Sequence, residues 1–137
     1  MRFMILVKAT RDSEAAKQPT EGLFAEMAAY HEALVKAGVL LDASGLQPSS
    51  KGWRIRYAGD KRTVVDGPFV ETKELVAGYT LIQTKTREEA LEWARRFPNP
   101  SIDHGEAEIE VRQLLELEDF EPNPQLKRFE AMMERSR

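Results

Sequence analysis

Apolar and polar positions follow two rhythms along the chain, one typical of strands and one typical of helices. Short apolar or alternating runs predict strands over residues 3–8, 39–45, 53–57, 62–65, 76–84 and 109–117. Apolar residues three and four positions apart predict helices that begin after Thr20, after Thr86 and near Leu126. The polar stretch Thr10–Gln18 ends at Pro19, and we interpret it as a loop.

The order of these elements is β-α-β, then a hairpin, then β-α-β and a final helix. Two βαβ halves around one sheet describe a split βαβ, or ferredoxin-like, α+β architecture with an inserted β-hairpin and a C-terminal helix. We predict one such domain over residues 1–118 and a C-terminal helical extension over residues 119–137. No apolar run is long enough to span a membrane, which needs about 20 residues.

Both faces of the predicted sheet are apolar, although two helices can cover only one of them. In the first strand, Ile5 and Val7 alternate with Met4 and Leu6, so each face carries large apolar side chains. An uncovered face of this kind usually indicates a partner. We therefore predict a homodimer that packs sheet against sheet, or a terminal helix that covers the second face.

Composition excludes several classes of function. The chain is 42% hydrophobic and 31% charged, which is ordinary for a soluble globular protein. Its formal net charge of −3 argues against nucleic-acid binding, and the absence of cysteine excludes disulfides, thiolate metal sites and a cysteine nucleophile. No ligand-spaced motif indicates a metal or a cofactor. We expect a cytoplasmic protein without nucleic-acid or membrane partners.

Two regions could carry chemistry. His31 lies on the apolar face of the first long helix, where an imidazole could act as a general acid or base or could simply pack in the core. Asp66 opens a cluster of unusual residues that runs to Glu74. Asp66 and Glu71 could face a pocket beside the sheet, or the cluster could be a turn in which Asp66 caps backbone N–H groups.

The cluster itself reads Asp66-Gly67-Pro68-Phe69-Val70-Glu71-Thr72-Lys73-Glu74. Together with Tyr30-His31, with the segment 45–48 and with the segment 88–94, it resembles the YCII-related proteins, in the branch that carries D-G-P-F-x-E-T-K-E. The resemblance covers about residues 1–115 and implies a dimeric α/β barrel. Some members of that wider superfamily act on small aromatic or lactone compounds without a cofactor, and many relatives lie beside sigma-factor genes.

The resemblance also bears on the site. Another branch of the family carries a His–Asp pair whose histidine comes early in the first helix; that position here holds Met27, and His31 lies one turn later. We predict a small-molecule-binding homodimer with a pocket between the sheet and the first long helix. Its ligand would be small and aromatic or anionic. The predicted catalytic residues are His31 and Asp66, and the predicted ligand-binding residues are Phe69, Glu71 and Tyr79. The alternative is a non-catalytic regulatory or protein-interaction module, linked to sigma-factor regulation.

Overall fold

The fold follows the predicted order of elements, with one additional short helix. A computed structural model describes residues 1–135 of the chain. The strands are β1 Arg2–Lys8, β2 Leu40–Gly45, β3 Trp53–Ala58, β4 Lys61–Asp66, β5 Val76–Gln83 and β6 Ile109–Gln113. The helices are α1 Arg11–Glu14, α2 Glu21–Lys36, α3 Arg87–Arg95 and α4 Leu126–Arg135.

The main sheet has four antiparallel strands in the order β2-β5-β1-β6. The central strand β1 pairs with β5 and β6, so that Ile5 lies opposite both Thr80 and Val111. This order, with a helix in each of the two crossovers, confirms the ferredoxin-like α+β architecture. Strands β3 and β4 form a separate two-stranded sheet, which is the inserted hairpin.

Local sequence features fix the ends of the helices. The Thr20 hydroxyl accepts a hydrogen bond from the N–H of Leu23 at 3.1 Å, which satisfies one of the unpaired N–H groups that begin α2. Gly38 follows the helix with a φ of +75°, a left-handed conformation that glycine adopts without strain. The prediction of a loop over residues 10–18 is wrong in part, because this stretch contains the single turn of α1. The side chains of Thr10 and Ser13 each accept a hydrogen bond from the other's backbone N–H and cap that turn.

The core lies between one face of the main sheet and helices α2 and α3. Its buried residues are Phe3, Ile5, Tyr30, Leu34, Ile82 and Ala90. Ile5, Leu34 and Ile82 have no solvent exposure, and each contributes about 1.5–3 kcal/mol by the removal of its side chain from water. This packing positions α2 across the sheet and places its residue His31 over β5.

The opposite face of the main sheet carries a second apolar row. Met4, Leu6, Ala77, Tyr79 and Leu81 alternate with the core residues along β1 and β5, and all five are half-buried. Helix α4 lies beside the short helical turn Leu117–Asp119, and all of its residues except Leu126 are exposed. Within residues 1–135, no helix has the length and apolar character that crossing a lipid bilayer requires.

Candidate functional site

A cavity of about 570 Å³ lies between the main sheet and the N-terminal half of α2. Its walls come from α2, from the segment 13–19 that contains the end of α1, from the segment 43–48 that ends β2, and from β5. Most of the lining side chains are apolar, among them Leu23, Met27, Leu46 and Phe97. A largely apolar cleft with a few polar groups is the usual form of a small-molecule site.

His31 is the polar centre of this cavity. Its Nδ1 lies 2.7 Å from the carbonyl oxygen of Met27, and its Nε2 lies 2.9 Å from the hydroxyl oxygen of Thr80. A carbonyl oxygen can only accept, so the hydrogen-bond network assigns the proton to Nδ1. The neutral ring therefore uses Nε2 as an acceptor from the Thr80 hydroxyl, and Nε2 is the nitrogen that could take up a proton.

Aromatic rings hold the imidazole in place. The rings of Tyr30 and Phe97 meet it edge to face, with centroid distances of 5.4 and 6.2 Å. The Tyr30 hydroxyl donates to the carbonyl oxygen of Trp93 at 2.7 Å, which connects α2 to α3. Burial raises the pKa of Tyr30 to about 12, because the charged phenolate would lose its contact with water. Tyr30 is therefore a neutral structural support for His31.

Among the described residues, no Asp or Glu lines the cavity. Lys17 stands at its wall, but its side chain is 63% exposed and its Nζ lies 4.0 Å from the carboxylate of Asp12. Residues 1–135 contain no group of three His, Asp or Glu side chains placed to hold a metal ion. The cavity is thus largely apolar; besides the hydrogen-bonded pair of His31 and Thr80, its lining includes the polar residues Ser13, Lys17, Gln18, Ser44 and Gln47.

Of the five residues predicted for the site, the cavity brings two together, His31 and Tyr79. Tyr79 borders the cavity, but its phenol points to the opposite face of the sheet, since it neighbours the inward-facing Thr80. There its hydroxyl donates to Asp42 at 2.8 Å, and this hydrogen bond raises the pKa of Tyr79.

The other three predicted residues lie away from the cavity. Asp66, Phe69 and Glu71 are not among its lining residues, and Asp66 and Glu71 are exposed. Within the described residues, the ring nitrogens of His31 bond to Met27 and Thr80 rather than to Asp66. The Met27 carbonyl oxygen, not the carboxylate of Asp66, is the hydrogen-bond partner of His31 Nδ1.

The segment 66–69 instead ties the base of the hairpin to the loop 48–52. The Gly67 N–H donates to the carbonyl oxygen of Gly52 at 3.0 Å, and the peptide bond before Pro68 is cis. A Cβ at Gly67 would lie 1.8 Å from the carbonyl oxygen of Ser49, so only glycine permits this approach. The Phe69 N–H donates to Ser49 Oγ at 3.0 Å.

Ser49 extends this connection to the wall of the cavity. Its backbone N–H donates to the carboxylate of Glu14 at 2.9 Å, and its hydroxyl donates to the other oxygen of the same carboxylate. Glu14 ends α1, and the segment 13–19 forms one side of the cavity mouth. The motif therefore supports the mouth from outside through Ser49 and Glu14.

Sequence reasoning missed four residues of this arrangement, namely Glu14, Met27, Ser49 and Thr80. Of these four residues, only Thr80 could have been recognised from the sequence, because it is a polar residue between the inward-facing Gly78 and Ile82. Nothing local marks Ser49 or Glu14, since their contact joins segments 35 residues apart.

Comparison with known proteins agrees with this fold. The family described as YCII-related domain matches residues 1–116. Over 94 residues the chain is 32% identical to an uncharacterized protein of Rhizobium meliloti (strain 1021), which covers 69% of this chain and 76% of that protein. The matched region contains the cavity, the hairpin and the segment 66–74, and it ends before α4. The chain belongs to the family of YCII-related domain proteins.

Proposed function

We propose that the protein binds a small, mainly apolar molecule with one hydrogen-bonding group in the cavity between α2 and the main sheet. The observation that carries this proposal is the position of the His31–Thr80 pair inside a largely apolar cavity of about 570 Å³. The ring of Phe97 and the side chain of Phe24 in the lining favour a flat, aromatic ligand. The absence of lining carboxylates within the described residues permits a ligand with a carboxylate or phenolate group.

The same geometry supports proton transfer without a cofactor. The Met27 carbonyl holds the proton on Nδ1, so Nε2 presents its lone pair to Thr80 or to a ligand O–H or acidic C–H. When Nε2 takes up a proton, both ring nitrogens donate hydrogen bonds, one to the Met27 carbonyl and one to the ligand. His31 is the general base of this proposal. Thr80 is the hydrogen-bond partner of His31 Nε2 when no ligand is bound.

A screen by thermal shift tests the binding proposal, with phenols, aromatic carboxylic acids and lactones as probes. A compound at one hundred times its dissociation constant should add about 2.7 kcal/mol to the free energy of unfolding. Ala43→Phe would place a ring in the cavity wall on β2 and should abolish binding, whereas Ala25→Phe on the exposed side of α2 should not. No binder, or a binder that tolerates Ala43→Phe, would contradict the proposal.

A non-catalytic binding module is the second candidate, and one observation favours it. Both ring nitrogens of His31 have hydrogen-bond partners, and neither partner is a carboxylate. His31→Ala separates the two candidates once a ligand is known. Loss of turnover with binding retained assigns His31 to catalysis, whereas tight binding with no turnover by the wild-type protein assigns the chain to the second class.

We further propose that the protein is a homodimer in the cytoplasm. The half-buried apolar row on the second face of the main sheet, which includes Met4, Leu6 and Leu81, supports a contact between two copies. Light scattering at micromolar concentration should give twice the mass of one chain, and Leu6→Glu should give a single chain. A wild-type monomer would overturn this proposal and leave the binding proposal intact.

A further inference from the structure

One residue in the wall of the cavity has a backbone conformation that its side chain disfavours. Ala16 has a φ of +57°, in the left-handed region, where the Cβ of an L-residue comes too close to the following carbonyl oxygen. At two other positions of this kind the chain has glycine, Gly38 with a φ of +75° and Gly59 with a φ of +60°. Ala16 therefore carries a strain that glycine would avoid.

Among the described residues, the other non-glycine residue with a positive φ is His104, and its conformation has a local compensation. Histidine is enriched several-fold among such residues, and His104 Nε2 lies 2.9 Å from a carboxylate oxygen of Glu26. The methyl group of Ala16 makes no hydrogen bond, so no side-chain bond offsets its strain. Residues held in sparsely populated conformations cluster at functional sites.

Two backbone hydrogen bonds hold Ala16 in this conformation. Its N–H donates to the carbonyl oxygen of Ser13 at 3.1 Å, and the Lys17 N–H donates to the carbonyl oxygen of Asp12 at 3.0 Å. This pattern is the Schellman motif, which ends a helix and usually has glycine where Ala16 stands. Ala16 is one of the residues that line the cavity, whereas its neighbour Ala15 is not.

We propose that Ala16 is a specificity-determining residue of the cavity, and that its methyl group packs against the apolar part of the ligand. The inference rests on the binding function proposed above. A glycine at this position would keep both backbone hydrogen bonds and remove the strain, but it would also remove the carbon atom that contacts the ligand. The ligand class is accordingly a flat aromatic compound with its hydrogen-bonding group at His31 and an apolar edge at Ala16.

Ala16→Gly tests the inference because it should change stability and binding in opposite directions. Relief of the left-handed strain should raise the urea midpoint of unfolding. The probe for binding is naphthol, a flat bicyclic phenol, measured by isothermal titration calorimetry. Loss of one buried methyl group should raise its dissociation constant about fourfold. If residue 16 had only a structural role, the more stable variant would bind naphthol at least as tightly as the wild type.

Ala15→Gly is the matched control. Ala15 is exposed and has a φ of −82°, so its replacement by glycine should lower the urea midpoint and leave the affinity for naphthol unchanged. Unchanged affinity or a lower midpoint in Ala16→Gly would overturn the inference and leave the binding function intact. No binding of naphthol to the wild type, or binding that survives Ala43→Phe, would overturn the inference together with the proposed site for aromatic ligands.

Discussion

Replacement of Gly67 by alanine should destabilise the protein strongly, although Gly67 touches no part of the cavity. The new Cβ would lie 1.8 Å from the carbonyl oxygen of Ser49, whereas real contacts of this type hardly occur below 3.0 Å. The two backbones must separate, which breaks the bond from Gly67 to Gly52 and the bond from Phe69 to Ser49, both 3.0 Å long. Two hydrogen bonds contribute about 1 kcal/mol each.

Loss of the stacking of Arg54 on Phe69, at 3.8 Å, adds about 0.5–1 kcal/mol. We therefore expect Gly67→Ala to lower the free energy of unfolding by about 2–4 kcal/mol, including some strain in the displaced loop. Urea denaturation followed by circular dichroism measures this change, and hydrogen exchange should show loss of protection at the Phe69 amide.

Gly45→Ala is the matched control for this experiment. A Cβ at Gly45 meets no atom within 4 Å, and its φ lies outside the left-handed region. The free energy of unfolding of Gly45→Ala should therefore stay within about 0.5 kcal/mol of wild type. If Gly67→Ala were equally mild and the Phe69 amide kept its protection, the close approach to Ser49 would not be the reason for glycine at this position.

Single contacts elsewhere in the chain give three further measurable outcomes. Ser49→Ala removes a hydroxyl with two partners and should cost about 1–3 kcal/mol by urea denaturation; an unchanged midpoint would remove Ser49 from the support of the cavity mouth. Tyr30→Phe leaves the Trp93 carbonyl without its donor and should cost about 1–2 kcal/mol. The stabilisation that neutral Tyr30 gives the wild type is complete below pH 10 and is lost as pH rises through about 12, so alkaline denaturation should be shallower in Tyr30→Phe. The hydrogen bond from Arg2 lowers the pKa of Glu116 in this half-buried pair. Glu116→Gln should therefore destabilise the protein by less than about 1 kcal/mol above pH 4.5, and this effect should vanish as pH falls through the lower folded pKa. NMR titration of Glu116 at its usual pKa would contradict this.

The fold could be predicted because its signals are local. The Thr20 cap, the glycine at position 38 and the apolar stripe of α2 each depend on neighbours within a few residues. The order of strands and helices then leaves few topologies for an α+β domain of this length. Helix α1 escaped detection because four residues are too few to show a period, and its capping by Thr10 and Ser13 can also be interpreted as a polar turn.

The candidate site could be predicted only in part, and the misses have physical causes. His31 was placed correctly beside the sheet because its spacing from Leu34 put it near the buried side of α2. Tyr79 borders the cavity, but its phenol lies on the opposite face of the sheet. Both rows of β5 are largely apolar, so alternation alone did not show which row faces α2. The row that faces α2 is the one that contains Thr80. Thr80 is only 2% exposed, and a hydroxyl so deeply buried needs a hydrogen-bond partner, which is His31.

Asp66 lies away from the cavity because the hairpin forms its own sheet. The direction in which a hairpin leaves the domain depends on contacts between distant segments, here Gly67 against Ser49 and Ser49 against Glu14. The hydrogen bonds of residues 67 and 69 join the hairpin to the loop 48–52, and the chemical role predicted for Asp66 stays a prediction. A mutation in residues 66–69 that displaces Ser49 would also release Glu14, and with it the cavity wall that faces His31. Loss of activity in such a variant would therefore identify a catalytic group only if the free energy of unfolding of the same variant were measured and found unchanged.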